Sequence, residues 1–142
     1  MCLLILLFGL FNLDAEIQKL FQKLDKMMVS PTRILHSDKL RAQQTAQLLQ
    51  QILSDSIPLE SSDIIKPKSS VLDFSQILAN KNQDLAIVSH LPFLNNLVSY
   101  LLCGSEERLT IRYIPGSVVC MEQDEEQQWG LTWMIRPEML ID

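Results

Sequence analysis

Two side chains suited to binding an oxyanion lie next to predicted secondary-structure boundaries. His90 follows the apolar run 84–89, where a predicted strand turns into a helix, and Arg41 lies in the first turn of another predicted helix. The ring of His90 and the N–H groups of its helix start would face the same space, and a guanidinium binds phosphate through two parallel hydrogen bonds. Alone, His90 fits equally well as a core or capping histidine, and Arg41 as a solvated surface arginine. Together they predict an anion site, because a phosphate needs several converging donors.

The apolar pattern predicts the elements that must position these residues. Residues 2–11 form a continuous apolar run, typical of a strand buried on both faces. The run lacks the preceding Lys or Arg and the cleavage site of a signal peptide, and it is too short to span a bilayer. The remaining predictions are helices over 14–28, 37–53, 71–78 and 91–102, strands over 33–36 and 84–89, a loop with one edge strand over 54–70, and a hairpin formed by 117–123 and 131–135.

This order of elements predicts an α/β fold. Strand and helix alternate and a hairpin closes the chain, which indicates a three-layer sandwich with a mostly parallel central sheet in a single domain, 1–142. In such sheets ligands bind beyond the carboxyl ends of the strands. The predicted ends are Leu7-Phe8-Gly9, His36-Ser37 and Ser89-His90, and Ser37 is also a suitable N-cap for the second helix.

Composition excludes several classes of partner. The chain has 142 residues, a net charge of −5 and a pI near 5.0, whereas nucleic-acid binding needs a basic surface. Cys2, Cys103 and Cys120 are odd in number and form no C-x-x-C pair, so neither a disulfide framework nor a zinc site is expected. We therefore expect a cytoplasmic protein that uses no metal or other cofactor and binds neither nucleic acid nor membrane.

Three segments resemble one known family. Residues 34–49, I-L-H-S-D-K-L-R-A-Q-Q-T-A-Q-L-L, resemble the S-P-x-x-R-A-x-Q-T segment of SixA-type phosphohistidine phosphatases. Residues 86–104 resemble that family's strand, S-H-x-P turn and helix, and residues 116–140 resemble its closing hairpin and W-x-x-x-P-x-x-L end. The resemblance spans most of the chain in family order, and implies the phosphoglycerate mutase-like fold of the histidine phosphatase superfamily.

The resemblance also implies roles for the two residues singled out above. Superfamily members bind a phosphoryl group with two arginines and two histidines, and one histidine becomes transiently phosphorylated. By motif, Arg41 corresponds to the second phosphate-binding arginine. His90 corresponds to the second histidine, which stabilises charge on the transferring phosphoryl group. The implied partner is a phosphohistidine-bearing phosphotransfer protein or another phosphate-containing ligand.

The chain departs from the family at its first strand. The family's R-H-G motif corresponds to Leu7, Phe8 and Gly9, so Phe8 occupies the position of the nucleophile. Phenylalanine has no lone pair to attack phosphorus, and leucine cannot donate to an oxyanion. Asp38 also replaces the proline of S-P and brings a carboxylate towards the phosphate. His36, the other histidine, is a poor candidate for a substitute nucleophile, because strand alternation aims it and Ser37 at opposite faces of the sheet.

Three hypotheses follow. The chain is an inactive or impaired SixA-like phosphatase that still binds phosphate or a phosphoprotein. Alternatively, a frameshift or misassigned start has replaced the R-H-G strand of an active phosphatase. The third hypothesis is a small α/β interaction module without a phosphate site, and it leaves the joint presence of Arg41 and His90 unexplained.

Overall fold

The computed structural model describes residues 1–7, 14–80 and 83–140. Within these ranges six strands and four α-helices alternate for most of the chain. The strands are β1 (Cys2–Leu7), β2 (Arg33–His36), β3 (Leu59–Ser61), β4 (Leu85–Ser89), β5 (Val118–Gln123) and β6 (Trp129–Ile135). The helices are α1 (Asp14–Lys26), α2 (Leu40–Leu53), α3 (Val71–Asn80) and α4 (Phe93–Cys103), and 3-10 turns lie at Asp63–Ile65 and Pro137–Leu140.

The strands form one mixed sheet in the order β3-β2-β4-β1-β5-β6. The first four strands in this order run parallel, while β5 is antiparallel to both β1 and β6. The predicted parallel sheet with a C-terminal hairpin is therefore confirmed, including the edge strand predicted within 54–70. The N-terminal strand lies inside the sheet, between β4 and β5, which agrees with its uninterrupted apolar sequence.

Two apolar cores cover the two faces of the sheet and make it the middle layer of three. Helices α3 and α4 pack on one face, where Phe74 and Phe93 meet edge to face with ring centroids 5.8 Å apart. Helices α1 and α2 pack on the other face. Fully buried members of the second core are Leu20, Leu24, Ile34, Ala42, Ala46, Leu49, Ala86, Val88 and Val118.

Several element boundaries differ from the predicted ones. Helix α1 ends at Lys26 rather than at residue 28, because Met28 has a left-handed backbone (φ 60°) and lies exposed. Helix α4 begins at Phe93 rather than Leu91, which agrees with the restriction that Pro92 places on the residue before it. Strand β1 is described only as far as Leu7, so Phe8 and Gly9 lie outside the described residues.

Helix α2 begins three residues later than predicted. Its first residue is Leu40 and Lys39 occupies the N-cap position without a side-chain capping bond. The prediction that Ser37 is the N-cap of this helix is wrong, because Lys39 occupies that position. The Ser37 hydroxyl is bonded to His90 and also accepts from the Lys39 N–H (3.5 Å). None of the helices in the described ranges is both long and apolar enough to cross a bilayer.

Candidate functional site

The parallel strands bring the predicted site segments to one edge of the sheet. Leu7 at the end of β1 is in register with Ser89 at the end of β4, and His36 at the end of β2 is in register with Val88. The chain leaves β2 and β4 at neighbouring positions, so Ser37 and His90 emerge side by side. This is the carboxyl edge at which open α/β sheets bind ligands.

A buried hydrogen bond joins the two strand ends. It runs between Ser37 Oγ and His90 Nε2, in side chains that are 0% and 4% exposed. The Ser37 backbone is also held, because its N–H donates to Val88 O (3.2 Å) and its carbonyl lies 2.8 Å from His36 Nδ1. The direction of the Ser37 side chain is thus set from both of its peptide groups.

Burial governs the charge state of His90. Desolvation and, to a smaller extent, the nearby positive charge of Lys39 lower the pKa of His90 to about 4, against the opposing effect of the Asp38 carboxylate. At neutral pH the ring is therefore uncharged. It then carries one proton and one lone pair, so it can donate one hydrogen bond and accept one.

Charged residues of both signs surround this edge. Lys66, which follows the 3-10 turn after β3, lies 3.6 Å from the carboxylates of both Asp38 and Asp63. The turn is tied to the end of β4, because Ser89 Oγ donates to Ile65 O. Asp38 was expected to repel a phosphate, and Lys66 offsets that repulsion by partly neutralising the carboxylate.

Arg41 lies one residue into α2, with its side chain exposed to solvent. Among the described residues its guanidinium has neither a hydrogen bond nor an ion pair, which leaves its donors free for a ligand. Helix α2 follows β2 after only three residues, so Arg41 belongs to the same edge as His90. Their roles in binding phosphate stay predictions. Phe8, the residue at the expected nucleophile position, lies outside the described residues.

Two residues that complete this cluster were not predicted from the sequence: Lys66, and Ser37 as the partner of His90. Ser37 was assigned to a cap because serine is common there, and no local pattern indicates a contact across 53 residues. Lys66 could have been noticed from its place after the predicted edge strand. His36 is buried, and its Nδ1 is bonded to the Ser37 carbonyl. In the described part of the chain no three His, Cys, Asp or Glu side chains are grouped as a metal site would require.

Comparison with known proteins places this edge in a familiar fold. No protein-family model matches the sequence, and no curated protein matches it significantly. Among solved structures, the protein histidine phosphatase SixA complexed with tungstate has a TM-score of 0.81 at 21% identity, covering 99% of this chain and 100% of the other. The chain has the histidine phosphatase fold.

Two further solved structures with different described activities share this fold. A SixA protein of Agrobacterium tumefaciens, assigned as a phosphohistidine phosphatase, has a TM-score of 0.78 at 18% identity, covering 96% of this chain and 97% of the other. A histidine-to-alanine variant of phosphoserine phosphatase from Entamoeba histolytica, in complex with phosphoserine, has a TM-score of 0.71 at 11% identity, covering 99% of each chain. Each of these matches extends over at least 96% of this chain.

Proposed function

We propose that the chain is a SixA-like histidine phosphatase homologue that binds a phosphate-bearing ligand and has lost its histidine nucleophile. The observation that supports the proposal is the contact of His90 with Ser37, three residues before α2, the helix whose second residue is Arg41. A protein of the same fold is known in complex with tungstate, which is a tetrahedral oxyanion like phosphate. The family resemblance of residues 34–49 and 86–104 supports the same site.

The binding chemistry follows from the charges at this edge. The exposed guanidinium of Arg41 supplies parallel donors to two phosphate oxygens. Neutral His90 supplies one hydrogen-bond donor without the cost of a buried charge. The ammonium groups of Lys39 and Lys66 add positive potential, and an incoming phosphate would compete with Asp38 for Lys66.

The missing nucleophile limits turnover. With Leu7 and Phe8 in place of Arg-His, no phosphohistidine can form at that position, and loss of a covalent nucleophile costs several orders of magnitude in rate. Binding does not need the same residue. One protein of this fold was crystallised with phosphoserine after a histidine had been replaced by alanine.

The ligand we propose is a phosphohistidine on a signalling or phosphotransfer protein in the cytoplasm. The support for this choice is the similarity of the fold to SixA proteins, one of which is described as a protein histidine phosphatase. The interaction would use the phosphoryl group as its anchor. It would leave that group in place for far longer than an active phosphatase does.

A tungstate titration followed by thermal shift tests the binding site. We expect millimolar tungstate to raise the Tm of the wild type, because a ligand that binds only the native state stabilises it. Arg41→Ala and His90→Ala should lose most of this shift. Arg108→Ala serves as the matched control, because Arg108 is exposed and lies away from the carboxyl edge of the sheet. Its backbone N–H donates to Ser99 in the second half of α4.

The outcomes separate the hypotheses. No shift in the wild type, or equal shifts in all variants, would contradict the phosphate site and favour an interaction module. Incubation with a phosphohistidine-bearing phosphotransfer protein would test whether the chain removes the phosphoryl group. Rapid dephosphorylation through an acid-labile phosphohistidine on this chain would overturn the loss of the histidine nucleophile.

A further inference from the structure

The Ser37–His90 pair has the geometry of a nucleophile and its base. A serine hydroxyl attacks an electrophile when a neighbouring imidazole nitrogen accepts its proton, and the diagnostic contact is a hydrogen bond between the two. Ser37 Oγ and His90 Nε2 make that contact at the carboxyl edge of the sheet. The family resemblance assigns His90 a different task and assigns Ser37 none.

We propose that Ser37 is a phosphoryl-accepting nucleophile and that His90 Nε2 is the base that activates it. The proposal rests on the phosphate site described above and adds a covalent step to it. In this arrangement the phosphoryl group is transferred to a serine at the end of β2 in place of a histidine at the end of β1.

The transfer step balances without a cofactor. In the tautomer with Nδ1 protonated, Nε2 carries no proton, and the Ser37 hydroxyl donates to its lone pair. As Oγ forms a bond to phosphorus, its proton passes to Nε2, and the bond between phosphorus and the leaving nitrogen breaks. The leaving nitrogen lies opposite Oγ in an in-line transfer, so it takes its proton from water and leaves as a neutral amine or imidazole, while His90 releases the proton of Ser37 to solvent. The products are O-phosphoserine and a neutral His90.

The surroundings favour this role over a passive hydrogen bond in two respects. Both peptide groups of Ser37 are engaged, by Val88 O and by His36 Nδ1, so Oγ is held in place before substrate arrives. The positive charge of Lys39 acts electrostatically on His90, and Arg41, the second residue of α2, carries a guanidinium with no hydrogen bond or ion pair among the described residues. Cations at this edge stabilise the charge of the equatorial phosphoryl oxygens.

Ser37 is fully buried, so a reagent must reach Oγ through an opening of the edge. Labelling the folded protein is therefore the decisive measurement. Phosphoramidate is the probe, because it is small and carries the nitrogen–phosphorus bond of phosphohistidine. We expect slow addition of one phosphoryl group to the folded protein. Intact mass is measured after acid treatment, because phosphoserine persists in acid whereas phosphohistidine hydrolyses.

Trypsin then locates the label without any mutation. Cleavage after Arg33 and Lys39 releases residues 34–39, I-L-H-S-D-K, and fragmentation of this peptide distinguishes Ser37 from His36. Ser37→Ala should remove the acid-stable label, and His90→Gln should slow labelling by about 100-fold, the usual contribution of a positioned base. Ser30→Ala, an exposed serine remote from the strand ends, should label like the wild type.

Failure of this inference differs from failure of the phosphate site. A tungstate shift without any acid-stable label at Ser37 would overturn the nucleophile and leave binding intact, with the hydrogen bond purely structural. Labelling of Ser37 at an unchanged rate in His90→Gln would overturn the role of His90 as the base. If Ser37→Ala does not fold, the peptide map of the wild type still decides where the phosphoryl group lies.

Discussion

His90 couples protonation to folding, because its ring is buried and kept neutral. Its pKa is lowered to about 4 from an ordinary value of 6.5, by burial and by Lys39, against the opposing effect of Asp38. The folded protein therefore binds fewer protons at this ring than the unfolded chain does. The resulting stability is fully present above pH 6.5 and is lost as the pH falls towards 4.

We predict that protonation of His90 lowers the free energy of unfolding by about 3 kcal/mol as the pH falls from 7 to 4. Urea unfolding of the wild type and of His90→Gln at several pH values measures the effect, because glutamine does not titrate and other groups change equally in both proteins. The difference between the two proteins should shrink as the pH falls. A constant difference would show that His90 is not held neutral.

Single residues were predictable where their position alone was decisive. His90 lies at a strand-to-helix turn and Arg41 in a first helical turn, and both assignments of position are confirmed. The partner of His90 was not predictable. Ser37 is far away in the chain, and the choice between a helix cap and a contact across the sheet depends on strand register, which single-residue preferences do not encode.

Two side chains of α4, one helical turn apart, form hydrogen bonds to the long connection between α4 and β5. Asn95 donates to Leu109 O (3.0 Å) and accepts from the Ile111 N–H (2.8 Å). Ser99 Oγ accepts from the N–H groups of Arg108 and Leu109, each at 3.0 Å. This segment has no strand or helix of its own, so these bonds replace the backbone ladders that it lacks.

We predict that Asn95→Ala speeds hydrogen exchange of the Ile111 amide by roughly tenfold, equivalent to about 1.4 kcal/mol of lost protection. The Leu109 amide should change less, because its acceptor is Ser99. Asn96→Ala is the matched control, and exchange at Ile111 should be the same there as in the wild type. Equal acceleration in both variants would show that α4 itself had been loosened.

Helices and strands were predictable from the sequence, whereas the side-chain hydrogen bonds that connect them to loops were not. Apolar periodicity predicted α3 and the hairpin strands, since each must bury one face. Side chains such as Asn95 carry no comparable signal. A polar residue on a helix is usually solvated, and nothing local distinguishes one that bonds to a loop about 15 residues later.

The molecule as a whole is joined through β1, which pairs with the parallel half of the sheet on one side and with the hairpin on the other. A pair of thiols marks the second junction. Cys2 Sγ on β1 lies 3.4 Å from Cys120 Sγ on β5, at the end of β1 away from the phosphate site. The expectation of no disulfide framework rested on the count of cysteines, which says nothing about such proximity.

We predict that diamide oxidises this pair, because the sulfur atoms need to approach by only about 1.4 Å to reach bonding distance. Cys103 is exposed at the end of α4 and should stay free. Alkylation after denaturation should thus find one thiol instead of three. Cys2→Ser is the control and should keep both of its thiols, whereas three thiols in the oxidised wild type would contradict the prediction.

The interior place of β1 also has a consequence for how the protein is made. Leu3 pairs with Leu85 and Cys2 with Glu122, so the first strand leaves the ribosome long before either neighbour exists. Until then the nascent chain carries C-L-L-I-L-L, an uncharged segment of the kind that aggregates. The newly made protein should depend on chaperones for this interval, since its sheet closes only once the C-terminal hairpin has been synthesised.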